Sequence, residues 1–141
     1  MIVPDLNLLV YAHNDGIPLH GPARRWWEDL VNGTDRIGVP WIVSTGFVRL
    51  LTHPRVLSHP ASPDRAVDLV AEWFRFPNVM ALNPGGQHLA IFRNMLAAAG
   101  VGADLVTDVH IAALAIENQA ELHSNDSDFG RFPGLRWRNP I

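Results

Sequence analysis

The pattern of apolar and polar residues changes repeatedly between two periods along the chain. Short apolar runs predict buried strands, and longer segments with an apolar residue at every third or fourth position predict helices. Strands are predicted at residues 2–5, 36–39, 79–82, 121–123 and 135–137. Helices are predicted at residues 6–12, 23–31, 41–51, 64–74, 87–99 and 103–118, with a turn or short helix at 125–129. Strands and helices therefore alternate along the whole sequence.

This alternation predicts an α/β fold in three layers, with a mostly parallel central sheet flanked by helices. Local signals support individual boundaries: Pro40 suits the first turn of the helix that follows it, and Ser62 can cap the next one. A chain of 141 residues is long enough for one such domain, and we assign residues 1–141 to it.

Composition limits the possible chemistry. The chain has no cysteine, which excludes disulfides, thiolate metal sites and cysteine nucleophiles. Its net charge of −3 gives no overall attraction to nucleic acid, so any such binding must be local. All eleven basic residues are arginine, whose guanidinium groups suit phosphate contacts, although a GC-rich genome is the simpler explanation for the missing lysine. We find neither a signal peptide nor a membrane span in the sequence and expect a cytoplasmic protein.

Several aspartates stand where predicted strands end. Asp5 ends the first strand, Asp126 and Asp128 follow the fourth, and Asp108 lies on the helix before that strand. The carboxyl ends of parallel strands meet at one edge of the sheet, so we expect these carboxylates in one cleft. Converging carboxylates need a cation to stay ionised, and hard oxygen ligands suit Mg²⁺ or Mn²⁺. Such a cation can activate water for attack on a phosphodiester.

Each aspartate also has a simpler local explanation. Asp5 can cap the helix that it precedes, and Asp126 and Asp128 can stabilise a turn. Asp108 is harder to explain, because aspartate is a poor helix former away from a helix end. We expect Asp104, one turn earlier, to be an N-cap first and an outer ligand second. Only the combination of these residues favours a metal-dependent hydrolase.

Two segments resemble the PIN-domain family, and more closely the ribonuclease toxins of VapBC toxin–antitoxin modules. The opening MIVPDLNLLVYAH is similar to the family's first strand with its Asp-x-Ser/Asn element, at Asp5 and Asn7. The closing DVHIAALAIENQAELHSNDSDFGRFPGLRWRNPI resembles an Asp-x-x-Ile-Ala-Ala element that begins at Asp108, followed by the family's Asp-x-Asp-Phe turn. That turn falls on Ser124-Asn125-Asp126 and Asp128-Phe129. The intervening VPWIVSTGFVRLLTHPRV is similar to a branch common in high-GC bacteria.

The resemblance implies an endoribonuclease that acts as the toxin of a toxin–antitoxin pair. It implies that Asp5, Asp108 and Asp126 hold Mg²⁺ or Mn²⁺, with Asp128 as a further catalytic residue. Secondary candidates for the site are Asn7, Ser124 and Asp104. Hydrolysis would leave a 5′-phosphate and a 3′-hydroxyl. The implied partners are an RNA, such as a tRNA or another structured RNA, and an antitoxin encoded next to the toxin.

One position departs from the family's pattern. The wider family has a glutamate early in the helix after the second strand, where this sequence has Gly46, and no acidic residue occurs between Asp35 and Asp64. The missing carboxylate leaves binding of one or of two cations open, and Ser44, Thr45 or a water could complete the ligand shell. The alternative function is a catalytically weakened PIN module that binds RNA or its antitoxin without cutting.

Other enzyme classes fit less well. The seven histidines show neither the HxxxH nor the HExxH spacing of a zinc site. No serine stands in the G-x-S-x-G turn of a serine hydrolase. A phosphatase of the haloacid-dehalogenase kind also begins with a strand-end aspartate. It requires a second aspartate where this chain has Asn7, and a lysine that the chain lacks.

The aromatic residues give a prediction about assembly. The helices carry more large apolar groups than a core of this size readily buries, namely Trp26, Trp27, Trp41, Trp73, Phe74 and Phe76. Exposed aromatic patches mark interfaces, so we expect a homodimer.

Overall fold

The computed structural model describes residues 1–100 and 102–141. In this part of the chain the strands are β1 (Ile2–Pro4), β2 (Ile37–Pro40), β3 (Val79–Leu82), β4 (Glu121–His123) and β5 (Arg136–Arg138). The α-helices are α1 (Leu6–His13), α2 (His20–Val31), α3 (Trp41–Leu51), α4 (Pro63–Trp73), α5 (His88–Ala99) and α6 (Val106–Glu117). Two short 3₁₀ helices, Ala103–Leu105 and Ser127–Arg131, precede α6 and follow β4. Every predicted strand and helix is present.

The strands form one sheet in the order β3-β2-β1-β4-β5, and each neighbouring pair is parallel. The α/β fold with a parallel central sheet flanked by helices is thus confirmed. From β1 the chain builds outward to β2 and β3, and it then returns to the other side of β1 for β4 and β5. This reversal makes the carboxyl ends of β1 and β4 the switch point of the sheet, where open α/β sheets bind their ligands.

The sequence analysis expected more large aromatic side chains than the core can bury. The core nevertheless buries three of the four tryptophans that it named. Trp26, Trp27 and Trp73 are at most 8% exposed, and Phe47 packs edge-on against Trp73 with the ring centroids 4.5 Å apart. The expected aromatic surplus is therefore wrong for these residues, because edge-on packing accommodates their rings. Trp41 alone among the four is exposed, at 51%.

Two of the buried indole groups donate to histidine rings. Trp73 Nε1 donates to His13 Nε2 at 3.1 Å, and Trp26 Nε1 donates to His123 Nδ1 at 3.0 Å. Burial lowers the pKa of both histidines, which keeps them neutral and able to accept. The histidines therefore satisfy polar groups that would otherwise cost free energy in the core.

Two valines of the helices remain exposed. Val67 of α4 is 54% exposed and lines a groove between α3 and α4, and Val106 is 38% exposed at the start of α6. Residues 111–115 of α6 are all buried, so this helix is apolar almost all round and its sequence could not fix which face is inside. No helix within residues 1–100 or 102–141 has both the length and the apolar character needed to cross a membrane.

Candidate active site

Asp5 lies where β1 ends and α1 begins, beside the end of β4. Its backbone N–H donates to the His123 carbonyl at 2.9 Å, which extends the pairing of β1 with β4 by one residue. One carboxylate oxygen accepts from the Leu6 N–H at 2.7 Å, so Asp5 is the N-cap of α1. The residue is only 7% exposed. The capping role suggested by the sequence is correct, and it leaves the second carboxylate oxygen for other contacts.

Ser124 connects Asp5 with the loop after β4. Its hydroxyl donates to Asp5 Oδ2 at 2.7 Å and accepts from the Asp126 backbone N–H at 2.9 Å. The side-chain amide of Asn7 lies 3.4 Å from the same hydroxyl as a second donor. Ser124 is completely buried, and Trp137 Nε1 donates to its carbonyl at 3.1 Å. Ser124 and Asn7, which were secondary candidates, therefore belong to the cluster around Asp5.

Asp126 and Asp128 lie in the turn that follows β4. Asp126 Oδ1 accepts from the Asp128 backbone N–H at 2.9 Å and so caps the 3₁₀ helix Ser127–Arg131. Asp128 forms an ion pair with Arg131 at 3.1 Å, with both side chains nearly half exposed. Phe129 is buried and holds this turn against the core. Asp126 is thus fixed by the turn, whereas an arginine already pairs with Asp128.

Asp108 approaches these carboxylates from α6. The sequence analysis placed Asp108 inside a longer helix. Because α6 begins at Val106 after a 3₁₀ turn, Asp108 instead lies in the first turn of α6. Partial burial raises the pKa of Asp108 to about 6, and the charges of Asp5, Asp126 and Asp128 contribute to this increase. Asp108 therefore faces the same space as the other three carboxylates.

Asp5 shows the same mutual effect. Burial raises its pKa, the charge of Asp126 adds to the increase, and the hydrogen bonds from Ser124 and Leu6 oppose it. Asp5, Asp108, Asp126 and Asp128 thus share one region at the switch point of the sheet, which we call the acidic cleft. Ser124 bonds both Asp5 and Asp126 within this region, and the holding of one cation by these aspartates stays a prediction.

Asp104 does not take part in this arrangement. It lies in the exposed 3₁₀ turn Ala103–Leu105, which shows no side-chain cap, so the expected N-cap role is wrong. Its charge is not among those that raise the pKa of Asp108. A backbone feature explains the difference: Ala103 has a positive φ of 49°, which interrupts the helix that the apolar pattern predicts.

The donor set of the acidic cleft fits a hard divalent cation in its chemistry. Besides the carboxylates, of which Asp5 is buried, the cluster holds Asn7 Oδ1, a buried amide oxygen without a hydrogen-bond partner among the described residues. Such oxygens are the ligands that Mg²⁺ and Mn²⁺ take. Within residues 1–100 and 102–141, no three histidine or acidic side chains already stand close enough to hold an ion together. Rotation of the aspartate side chains would have to complete the ligand set.

Known proteins match this chain over nearly its whole length. The family model described as PIN domain matches residues 2–135. The chain belongs to the PIN-domain family. This PIN domain is 45% identical to Ribonuclease VapC33 of Mycobacterium tuberculosis over 141 residues, which cover 100% of this chain and 99% of the relative. It is 41% identical to Ribonuclease VapC37 of the same organism, with 99% and 97% covered.

Solved structures share the PIN fold at much lower identity. VapBC2 from Rickettsia felis, bound to a DNA fragment from its promoter, superposes with a TM-score of 0.71 at 20% identity and covers 99% of this chain and 98% of that one. VapC20 of Mycobacterium tuberculosis, a toxin that cleaves the sarcin–ricin loop, gives a TM-score of 0.66 at 18% identity with 96% and 99% covered. These similarities establish the fold.

Gly46, the position where the sequence analysis expected the glutamate of the wider family, lies in α3. It is buried, and a Cβ atom at this position would lie 2.9 Å from Leu6 Cδ2. Leu6 thus fills the space that a side chain at position 46 would need. Ser44 and Thr45 both line the groove between α3 and α4, and the Thr45 hydroxyl donates to the Trp41 carbonyl at 2.9 Å. Helix α3 therefore adds no carboxylate to the acidic cleft.

Proposed function

We propose that this PIN domain is a metal-dependent endoribonuclease and the toxin of a toxin–antitoxin pair. The acidic cleft carries the proposal, because its carboxylates come from three separate elements at the switch point of the sheet. Burial, with a further contribution from the neighbouring carboxylates, raises the pKa of Asp5 and Asp108. Groups with perturbed pKa values that converge in a cleft are typical of active sites. The full-length similarity to ribonucleases of the VapC type supports RNA as the substrate.

Asp5, Asp108 and Asp126 are the residues that would hold Mg²⁺ or Mn²⁺. When bound, the cation supplies a water of lowered pKa and stabilises the charge that develops on the phosphate oxygens. Asp108 is mainly ionised above its pKa of about 6 and is then able to act as a ligand. Asp128 is placed to orient the attacking water, because its ion pair with Arg131 leaves one carboxylate oxygen free of that contact.

Ser124 has a positioning role in this proposal. Its short hydrogen bond to Asp5 Oδ2 fixes the carboxylate and offsets part of the cost of burying its charge. The same hydroxyl holds the Asp126 backbone, so that one buried group sets the distance between two proposed ligands. A geometry fixed before substrate arrives is worth more for catalysis than one that forms on binding.

An antitoxin is the proposed protein partner. The structural neighbours from Rickettsia felis and Haemophilus influenzae are VapBC complexes. An extended or helical segment of the antitoxin would inhibit most simply by covering the acidic cleft, with an arginine that pairs with the carboxylates. The chain itself is proposed to form a homodimer through the groove between α3 and α4, where Trp41 and Val67 are 51% and 54% exposed.

The decisive experiment is cleavage of total cellular RNA by the purified chain with Mg²⁺, with and without a chelator. Wild-type protein should cleave only with the cation, and Asp5→Asn and Asp108→Asn should be inactive. Asp104→Asn is the matched control, because it removes an exposed aspartate outside the acidic cleft. Wild-type protein that binds RNA but leaves it intact with Mg²⁺ and with Mn²⁺ would favour the alternative, a weakened PIN module, for which Gly46 is the specific reason.

A further inference from the structure

A second concave surface lies along β4 and β5, on the face of the sheet that α2 covers. It is a cavity of about 610 Å³ between α2 and the edge strand β5, and we call it the α2–β5 groove. Its charged and aromatic lining consists of Arg25, Trp26, Asp29, Asp35, Glu121, His123, Arg136 and Arg138. The volume lies in the range of pockets that hold small ligands. The proposed catalysis uses none of these residues.

The groove carries both signs of charge, and most of these charges are not paired with one another. Within residues 1–100 and 102–141, Arg25, Arg136 and Arg138 have no carboxylate within 4.0 Å, and Asp29 and Asp35 have no cationic partner at that distance. Arg136 Nη2 already donates to the Gln119 carbonyl. The other N–H groups of Arg136, together with the side chains of Arg25, Arg138, Asp29 and Asp35, remain available as donors and acceptors for a ligand.

The floor of the groove is rigid and neutral. Trp26 Nε1 donates to His123 Nδ1 at 3.0 Å, so the other ring nitrogen carries the proton and donates to Glu121 Oε1 at 2.8 Å. Burial lowers the pKa of His123, the hydrogen bond and charge of Glu121 oppose this, and the weaker effects of Arg138 and Asp35 have opposite signs. Arg138 and Asp35 both line the groove with His123.

The register of β5 connects the groove with the acidic cleft. Arg138 pairs with His123 at the carboxyl end of β4, and its carbonyl accepts from the Ser124 N–H at 3.0 Å. Arg136 lies two residues nearer the amino end, on the same face of the strand, about 6.6 Å away. An extended nucleic-acid strand that lies in the groove along β5 can place successive phosphates on these two arginine residues.

The mixed charge decides what kind of ligand fits. Three carboxylates in the lining offset three arginines, so a bare phosphate gains little there. A nucleotide needs both signs, because its phosphate is anionic and its base presents N–H donors. Guanine suits such a site best, since its O6 and N7 accept from an arginine and its amino edge donates to a carboxylate.

We propose that the α2–β5 groove binds a guanine nucleotide of single-stranded RNA. Arg138 and Arg136 contact the backbone, Arg25 contacts the O6/N7 edge, and Asp29 or Asp35 accepts from the amino edge. The inference rests on the proposed ribonuclease function for the identity of its ligand. Sequence-specific RNA recognition commonly uses such unstacked, single-stranded bases.

The test measures binding of labelled RNA by fluorescence anisotropy with chelator present, so that the proposed cleavage cannot occur. Two uridine decamers are compared, one with a central guanosine and one with a central adenosine. Arg138→Gln should weaken binding of both by about tenfold, because a phosphate contact is lost. Asp29→Asn and Asp35→Asn together should abolish the preference for guanosine. Arg93→Gln is the matched control, because it removes an exposed arginine on α5, away from the groove.

The sign of the aspartate effect separates base recognition from simple electrostatics. If the groove were only a charged surface, removing two carboxylates would tighten binding of both RNAs, and that result would overturn the proposal. An Arg138→Gln variant that binds like Arg93→Gln would overturn it as well. Cleavage with Mg²⁺ is measured separately on wild-type protein. If the groove variants cleave limiting RNA as fast as the wild type does, this inference is wrong and the proposed function stands. If the wild type itself does not cleave RNA, the proposed function is wrong.

Discussion

Replacing Asp108 with asparagine should make the protein more stable at neutral pH while it abolishes RNA cleavage. The pKa of this carboxyl group is raised to about 6 from 3.8, so the folded state binds a proton more tightly than the unfolded state does. Ionisation of Asp108 therefore lowers the free energy of unfolding as the pH rises from about 4 to about 6. Asparagine keeps the shape of the side chain and removes the charge.

The expected gain is about 1 kcal/mol at pH 7.5. A shift of one pKa unit corresponds to about 1.4 kcal/mol for a fully buried group, but Asp108 is only half-buried and solvent screens much of this energy. Loss of a negative charge near the N-terminus of α6 acts in the opposite direction by about 0.5 kcal/mol. For a domain of this size, a gain of about 1 kcal/mol raises Tm by about 3 °C.

The assay is thermal unfolding in chelator at pH 7.5 and at pH 4.5, for wild type, Asp108→Asn and Asp104→Asn. The stabilisation by Asp108→Asn should be present at pH 7.5 and nearly absent at pH 4.5, where the wild-type carboxyl is protonated. Asp104→Asn should change Tm by less than about 1 °C at either pH. A loss of stability at pH 7.5, or an equal gain at both pH values, would show that the folded protein does not raise the pKa of Asp108.

Three further predictions concern other parts of the molecule. Asp126→Ala should cost far more RNA cleavage than Asp128→Ala, because only Asp126 is fixed beside the centre of the acidic cleft; equal losses in a cleavage assay contradict this ranking. Gly85→Ala should lower the free energy of unfolding by about 1 kcal/mol, because a methyl group would displace the Glu117 carboxylate that accepts from the Gly85 N–H, and a denaturant titration measures this. The chain should be a dimer by light scattering, Trp41→Ala should be a monomer, and the product of the adjacent reading frame should inhibit cleavage. A wild-type monomer that this product leaves active contradicts both parts of that prediction.

The sequence predicted the fold well because its signals are local and repeated. Short apolar runs separated by amphipathic segments specify parallel strands joined by helices, and a parallel sheet brings strand ends to one edge. From that rule alone we predicted that Asp5 and Asp126 lie near each other, and in the structure Ser124 bonds to both. The order of the strands, and hence the switch point between β1 and β4, does not follow from any local pattern.

The parts that the sequence analysis missed depend on contacts between distant residues. Nothing near His13 or His123 in sequence indicates that each accepts a hydrogen bond from a buried indole, because Trp73 and Trp26 lie 60 and 97 residues away. The start of α6 was misplaced for a different reason. Ala103 adopts a left-handed backbone conformation, and the periodicity of apolar side chains carries no information about a single φ angle.

The acidic cleft is joined to the fold by the same groups that position its carboxylates. The Asp5 N–H donates to the carbonyl that precedes Ser124, the Ser124 N–H donates to the carbonyl of Arg138, and Trp137 donates to Ser124 in turn. These contacts continue the sheet beyond β1, β4 and β5. Charges that repel one another would otherwise loosen the loops that carry them. Because the cluster is anchored to three parallel strands, the carboxylates stay together, and burial together with their mutual repulsion raises the pKa values of Asp5 and Asp108.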